Sequence, residues 1–297
     1  MLRWTTSHQI PVDFEADKNH RTRINSTVIN NNVWLVFSYF DRRELKYKHQ
    51  MAVFDTTSLE AIKVDCEIPD FGGYGVSNNA SQLDQMYILT VNAVNDFKLH
   101  QFDTKTMTFS DFVSINVRLI GKLQILENHM YSLARTADSE KLLLITIDLF
   151  DKTVESKTLV ENPEDSYYQI FTNNETLYLF EHSRGMRQVY VIDKDNKTQL
   201  LKLANADISF PGVMKWVNDS VITQTFKPMG SYPLETIDFD KKEWLTALIE
   251  KHKTPSAYCV LKSAKCLDNK IYAVFQTTFY RQKLKNMIEW RSPPKNE

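Results

Sequence analysis

An apolar residue followed by aspartate returns along this chain at nearly constant intervals. The pairs are Phe54-Asp55, Phe102-Asp103, Ile147-Asp148, Ile192-Asp193 and Ile237-Asp238. Successive aspartates stand 48, 45, 45 and 45 residues apart, and a degenerate sixth copy, Ile288-Glu289, follows 51 residues later. A period of this size is that of a four-stranded propeller blade, and no other feature of the sequence restricts the fold so tightly.

A second series runs in phase with the first. Strand-like runs centre on Trp34, Tyr87, Tyr131, Tyr178, Ile222 and Tyr272, and the next Asp or Glu of the first series follows 21, 16, 17, 15, 16 and 17 residues later. β-Branched and aromatic residues fill these runs, and Asn, Asp and Gly punctuate them. Each unit then reads as an inner strand A, an aromatic strand B, a strand C ending in apolar-Asp, and a strand D. The repeated Asp stands at the C–D turn, where its carboxylate accepts from backbone N–H groups just ahead. Five carboxylates at one structural position read as turn formers rather than as five catalysts. Only "EWLTALIEKHK" (243–253) has helical periodicity, and it falls on a strand position of the repeat.

The expected fold is all-β, a six-bladed β-propeller with four-stranded blades in one domain over 1–297. The blades span approximately 20–66, 72–114, 119–160, 167–204, 211–249 and 257–290 plus 2–10. The sixth unit lacks a strand D, because "RSPPKNE" follows its strand C and paired prolines do not make a strand. An N-terminal strand within "LRWTTSHQI" (2–10) supplies the missing one, with Trp4 in the place that Trp244 takes in its own blade. Pairing the two chain ends in this way removes open sheet edges.

The unit "apolar-Asp-x5-Trp" after an "N-x-aromatic-apolar" strand resembles the kelch repeat. "NKIYAVF", "ETLYLF" and "IDFDKKEW" carry the likeness, and Phe109 follows Asp103 by six residues as Trp244 follows Asp238. The kelch diglycine after strand B is absent from all six units, so the likeness is to a divergent relative. Kelch-like propellers bind partner proteins, and the resemblance implies the same here.

Chemistry-bearing motifs are few. The three cysteines, Cys66, Cys259 and Cys266, form no CxxC pair and have no histidine at zinc spacing. No G-x-S-x-G, H-E-x-x-H or Gly-rich phosphate loop occurs. Catalytic residues, cofactor-binding residues and metal ligands are all assigned as none, and no cofactor is expected. The formal net charge of -1 supplies no global attraction to nucleic acid or anionic membrane. The longest apolar runs are too short to cross a bilayer. "MLRWTTSHQI" has no apolar signal core, and the sparse, odd cysteine count fits a reducing compartment, so a cytoplasmic or nuclear monomer is expected.

The B–C connections, placed at 41–49, 92–97, 135–141, 182–187, 226–233 and 279–285, hold twelve Lys/Arg against five Asp/Glu. The D–A connections, assigned to the opposite face, lean acidic through Asp65, Glu67, Asp70, Glu161, Glu164, Asp165 and Asp207. This asymmetry suggests a basic docking face for an acidic protein partner. Its contacts are expected at Arg42, Arg43, Tyr47, Arg184, Tyr232 and Arg281, with "DRRELKYKH" (41–49) as the strongest element. The leading expectation is a non-enzymatic interaction scaffold or adaptor. The alternatives are an enzyme with its site at the channel mouth, where His182 could stand, and a binder of a polyanion or small ligand.

Overall fold

The computed structural model describes residues 6–9, 23–41, 44–71, 76–93, 96–163, 166–173, 175–183, 186–203, 212–217, 220–225, 231–239, 242–250, 257–267, 270–279 and 282–291. A short first strand, β1 (Thr6–Gln9), precedes a run of antiparallel four-stranded sheets. The first sheet joins β2 (Arg23–Ile29), β3 (Asn32–Asp41), β4 (Lys46–Asp55) and β5 (Glu60–Lys63) in chain order. The second joins β6 (Val76–Gln82), β7 (Gln85–Ala93), β8 (Asp96–Asp103) and β9 (Thr108–Ile115). The third joins β10 (Arg118–Leu126), β11 (His129–Arg135), β12 (Lys141–Asp148) and β13 (Val154–Glu161). The fourth joins β14 (Tyr167–Asn173), β15 (Thr176–Ser183), β16 (Met186–Ile192) and β17 (Thr198–Leu201). A further sheet joins β18 (Gly212–Val217), β19 (Ser220–Thr225), β20 (Ser231–Asp238) and β21 (Glu243–Glu250). In another, β22 (Ala257–Leu267), β23 (Lys270–Phe279) and β24 (Gln282–Arg291) are joined by β1. The protein is all-β, a propeller of four-stranded blades.

Packing follows from the alternation along the strands. The central strands bury both faces: Leu35, Val36 and Phe37 of β3 are all fully buried. The outer strands β9 and β13 are largely exposed. Apolar clusters interlock successive sheets. Trp34, Val36 and Met51 pack with Val76, Met86, Ile88 and Phe102 between the first and second. Leu133, Leu142 and Leu144 pack with Tyr168, Ile170 and Leu179 between the third and fourth. Each fully buried side chain of this size contributes about 2–3 kcal/mol through surface removed from water, so every seam is an independent source of stability.

The repeated aspartates do what their turn position predicts. The Asp55 carboxylate accepts from the N–H groups of Thr57 (2.7 Å) and Ser58 (3.1 Å). Asp103 accepts from Lys105 (2.8 Å) and Thr106 (2.9 Å), and Asp148 from Phe150 (2.7 Å) and Asp151 (2.8 Å). Asp193 accepts from Lys197 at 2.7 Å. Four residues beyond Asp55, Asp103, Asp148 and Asp238 the backbone turns left-handed, at Leu59 (φ 66°), Met107 (φ 56°), Lys152 (φ 59°) and Lys242 (φ 55°). In the first three of these turns side-chain capping by the aspartate holds a non-glycine residue in a region that disfavours it.

Several expectations are corrected. Residues 243–250 form strand β21, paired residue by residue with β20, so the helical periodicity of that stretch yields to sheet pairing. Trp4 lies outside the described residues; the register Thr6↔Trp290 to Gln9↔Met287 places the N-terminal strand beside β24. The sixth copy of the apolar-Asp pair is also misplaced. Tyr87 pairs with Gln101, immediately before Phe102-Asp103, whereas Tyr272 pairs with Trp290, which puts Arg291 rather than Ile288 at the apolar position. Finally, the long spacing in the first unit is not a long loop. β3 and β4 extend to pair Asp41 with Lys46, so Lys46 to His49 of the expected docking loop are strand.

Candidate functional site

In a sheet of four antiparallel strands, strand A starts and strand B ends at the same end. Strand C starts and strand D ends there too. The B–C and D–A connections therefore share one end of the propeller. Contacts in the third and fourth sheets make this concrete. Arg135, at the end of β11, donates from Nη2 to the carbonyl of Ser166, just before β14, at 3.1 Å. The N–H of Asn162, after β13, donates to the carbonyl of Glu140 at 2.7 Å. The basic B–C loops and the acidic D–A connections thus stand together rather than on opposite faces.

Of the residues expected to make contacts, Arg42, Arg43, Arg184 and Arg281 lie outside the described residues. Tyr232 occupies a strand position in β20, paired with Ile249. Tyr47 is half-buried, edge-on to Phe40 with ring centroids 5.3 Å apart, and the Arg23 guanidinium lies 5.9 Å from its ring centre. Its neighbouring charges are paired locally: Lys48 reaches Asp41 at 2.8 Å and also binds Glu44, which Lys46 approaches at 3.2 Å. The Glu44 carboxyl is held below its ordinary range by its bond to Lys48. The six residues are not brought together as one surface among the described residues.

One arrangement has the outline of a hydroxyl–imidazole–carboxylate relay. Thr90 Oγ1 lies 3.1 Å from His100 Nε2, and His100 Nδ1 lies 3.1 Å from Asp111 Oδ1. Lys98 holds the other oxygen of Asp111 at 2.6 Å. Thr90 and His100 are buried, however, and the Phe71 ring closes over His100 with centroids 4.8 Å apart. Thr90 Oγ1 also donates to the Lys98 carbonyl. A nucleophile needs access to substrate as well as a base; this triad seals a seam.

A second polar cluster lies at the end where strand A begins, between the third and fourth sheets, with the exposed Tyr167 beside it. Tyr168 and Tyr190 donate from their hydroxyls to the two oxygens of Glu181, each at 2.9 Å. The Tyr190 oxygen also stands 2.6 Å from the side-chain amide of Gln188. One hydroxyl proton serves one acceptor, so the consistent amide orientation has Gln188 donating to Tyr190. The Arg135 guanidinium lies 5.8 Å from the Tyr168 ring centre. Burial, with Glu181 adding to it, pushes the Tyr168 hydroxyl up to about 12, and the same causes raise Tyr190. Both stay protonated donors at neutral pH. Tyr167, 44% exposed, opens the strand and pairs with His182 across it. Arg135, Glu181 and His182 thus stand at the same end of the third and fourth sheets. Sequence reading counted Arg135 only as loop charge and noted His182 in isolation. The signal it passed over was Tyr167-Tyr168 directly after an acidic connection, in phase with Glu181-His182 on the next strand. Among the described residues, no three His, Cys, Asp or Glu stand together to hold a metal ion, and no helix is long and apolar enough to cross a membrane.

No protein-family profile matches the chain, and no curated protein matches it in sequence. Solved structures do. The acylaminoacyl peptidase of Pyrococcus horikoshii is 10% identical with a TM-score of 0.51, over 93% of this chain and 46% of that one. An acylaminoacyl peptidase in complex with Z-Gly-Gly-Phe-chloromethyl ketone is 9% identical with a TM-score of 0.50, over 89% and 45%. The β-propeller domain of the trilobed protease from Pyrococcus furiosus is 11% identical with a TM-score of 0.48, over 89% and 82%. This chain spans about half the length of the acylaminoacyl peptidases it is similar to. At such identities the likeness speaks to the fold alone.

These findings correct the expectation of a non-enzymatic scaffold of kelch type. The solved propellers the chain is similar to are of peptidase type rather than kelch, and the basic loops and acidic connections share one end instead of facing apart.

Proposed function

We propose that the sheets close into a six-bladed ring and that the chain serves as the substrate-handling propeller of an enzyme, taking a peptide at the mouth where strands A begin. Closure is supported by the pairing of β1 with β24 and by contact between the inner strands β2 and β22. The observation that carries the functional reading is the Arg135–Tyr168–Glu181–Tyr190 network at that mouth. A carboxyl group fixed by two tyrosine hydroxyls, beside a guanidinium and an exposed tyrosine ring, offers polar groups and an apolar wall within one rigid frame. Such a frame suits peptide N–H and C=O groups and an aromatic side chain. The blocked tripeptide held by one acylaminoacyl peptidase of this fold is a ligand of that kind. With the only relay among the described residues sealed, the chain's part is to bind and orient, and bond cleavage falls to groups beyond it.

The test is binding of a fluorescein-labelled Z-Gly-Gly-Phe amide, read by anisotropy. Saturable binding that weakens roughly tenfold in Glu181→Gln and in Tyr167→Ala is expected, from the loss of one or two bonds at the mouth. Equal binding by all three proteins, or none by the unsubstituted one, would overturn the reading. Tight binding of heparin that falls steeply with salt, without peptide binding, would instead favour a polyanion ligand.

A further inference from the structure

Two carboxamides on inner strands share a structural position and an unmet need. Asn25 is the third residue of β2 and pairs with Val36, two residues after Trp34. Gln169 is the third residue of β14 and pairs with Phe180, two residues after Tyr178. The same register position in β6 is Asn78, paired with Leu89 two residues after Tyr87. In β10 it is Ile120 and in β22 it is Ser263. Two described carboxamides thus stand at one register level, on the inner strands of the first and fourth sheets.

Asn25 Nδ2 and Gln169 Nε2 are both buried and have no hydrogen-bond partner. Gln169 is 2% exposed, and its Oε1 is occupied by the Tyr167 hydroxyl at 2.5 Å. With the amide in this orientation the acceptor is capped and the donor is left over. Buried donors without acceptors are rare and costly, and a single one could be incidental. Two at the same repeat position, of like chemistry and on different blades, point to a missing ligand. Each lies two residues inside the mouth, about 7 Å at strand rise. The half-exposed Tyr167 ring stands between Gln169 and solvent.

We infer that this level of the axis is a carbonyl-binding girdle, in which side-chain amide N–H groups receive the main-chain carbonyl oxygens of a peptide entering from the mouth. The inference rests on the peptide reading above and locates a second subsite for it. The donors are neutral, so they suit neutral acceptors rather than phosphate or a carboxylate. They stand on two different blades, so they read backbone rather than a particular side chain. Tyr167 is the entry residue: turning its ring aside uncovers the amide behind it.

The experiment uses the full chain and the labelled Z-Gly-Gly-Phe amide, with Asn25→Leu, Gln169→Met and the double variant. Each substitution removes a donor at similar volume. Each single variant should weaken binding roughly twofold to tenfold, and the double variant by about the product. Their melting temperatures should hold or rise, because an unpaired buried donor has been removed. An analogue whose internal amides are reduced to amines lacks the carbonyls; it should bind the unsubstituted protein about tenfold more weakly or worse, and indifferently to the substitutions. That arm needs no variant to fold. Unchanged binding by the girdle variants, together with loss in Tyr167→Ala, would overturn the girdle and leave the mouth reading standing. Absence of binding by the unsubstituted protein overturns both.

Discussion

His49 should make this protein acid-labile, and replacing it should remove a defined part of that lability. The ring lies at the seam of the first two sheets, edge-on to Phe71 with centroids 4.8 Å apart, and neither ring nitrogen has a hydrogen-bond partner. Burial pulls the imidazole down to about 4, with the charge of Asp70 opposing weakly. An unfolded histidine titrates near 6.5. The folded value is the lower one, so below about pH 6.5 the unfolded chain takes up the proton first. Stability from this group is complete above that pH, declines as pH falls, and is fully lost near pH 4. The gap of about 2.5 units, at about 1.4 kcal/mol per unit, gives a loss of roughly 2–3 kcal/mol at pH 4.5 and about 3 kcal/mol at pH 4. His49→Phe keeps an aromatic edge against Phe71 and has nothing to protonate. Urea unfolding of both proteins at about pH 7.5, 6.5, 5.5 and 4.5 provides the assay. The variant should match or exceed the parent at pH 7.5 and lose about 2–3 kcal/mol less on going to pH 4.5. His100, also lowered by burial, keeps a residual slope in both proteins. Parallel curves, differing by less than about 0.5 kcal/mol across the range, would show that His49 finds water or a partner when charged, and the reasoning would fail.

Asp103→Ala and Asp148→Ala each remove two backbone hydrogen bonds from a C–D turn and should lower Tm by roughly 2–5 °C in a thermal melt. Asp103 is held down to about 2 by backbone N–H groups and Gln85. Its contribution is therefore present above pH 4 and lost only as pH approaches 2, so Asp103→Asn should differ from the parent least in strong acid. Met107→Gly places glycine at a left-handed turn position and should raise stability by about 0.5 kcal/mol in urea unfolding, the relief of strain exceeding the entropy of glycine. Removal of residues 1–10 should lower Tm markedly, because β24 then loses its neighbour; an unchanged Tm would refute closure by β1.

The fold was legible because a propeller repeats one unit, and repetition amplifies signals that are weak singly. Asp55, Asp103 and Asp148 each cap the turn they were expected to cap. What repetition could not resolve was local register. Ile288-Glu289 mimics the repeat in composition, yet the pairing of Tyr272 with Trp290 places it three residues early. The left-handed residues Leu59, Met107 and Lys152 were hidden because turn signals are sought in glycine. The charged face failed for a topological reason: strand polarity brings D–A and B–C connections to the same end, and composition carries no direction. The Glu181 network was invisible because its partners, Tyr168 and Tyr190, look in sequence like ordinary strand aromatics, and only the fold turns their hydroxyls onto one carboxylate.

The partnership of β1 with β24 sets a schedule for biosynthesis. Residues 6–9 leave the ribosome about 280 residues before 287–290 and wait for them before their sheet can form. At roughly 5–20 residues per second that is a wait of about 15–60 s, in which complete blades can assemble but the nascent strand has no edge to join. Until then the outer edge of β24 does not yet exist and β1 has only other chains to pair with. Chaperone cover of the emerging β1 would guard this interval, and a chain halted before residue 287 would carry an unmatched strand for as long as it survives.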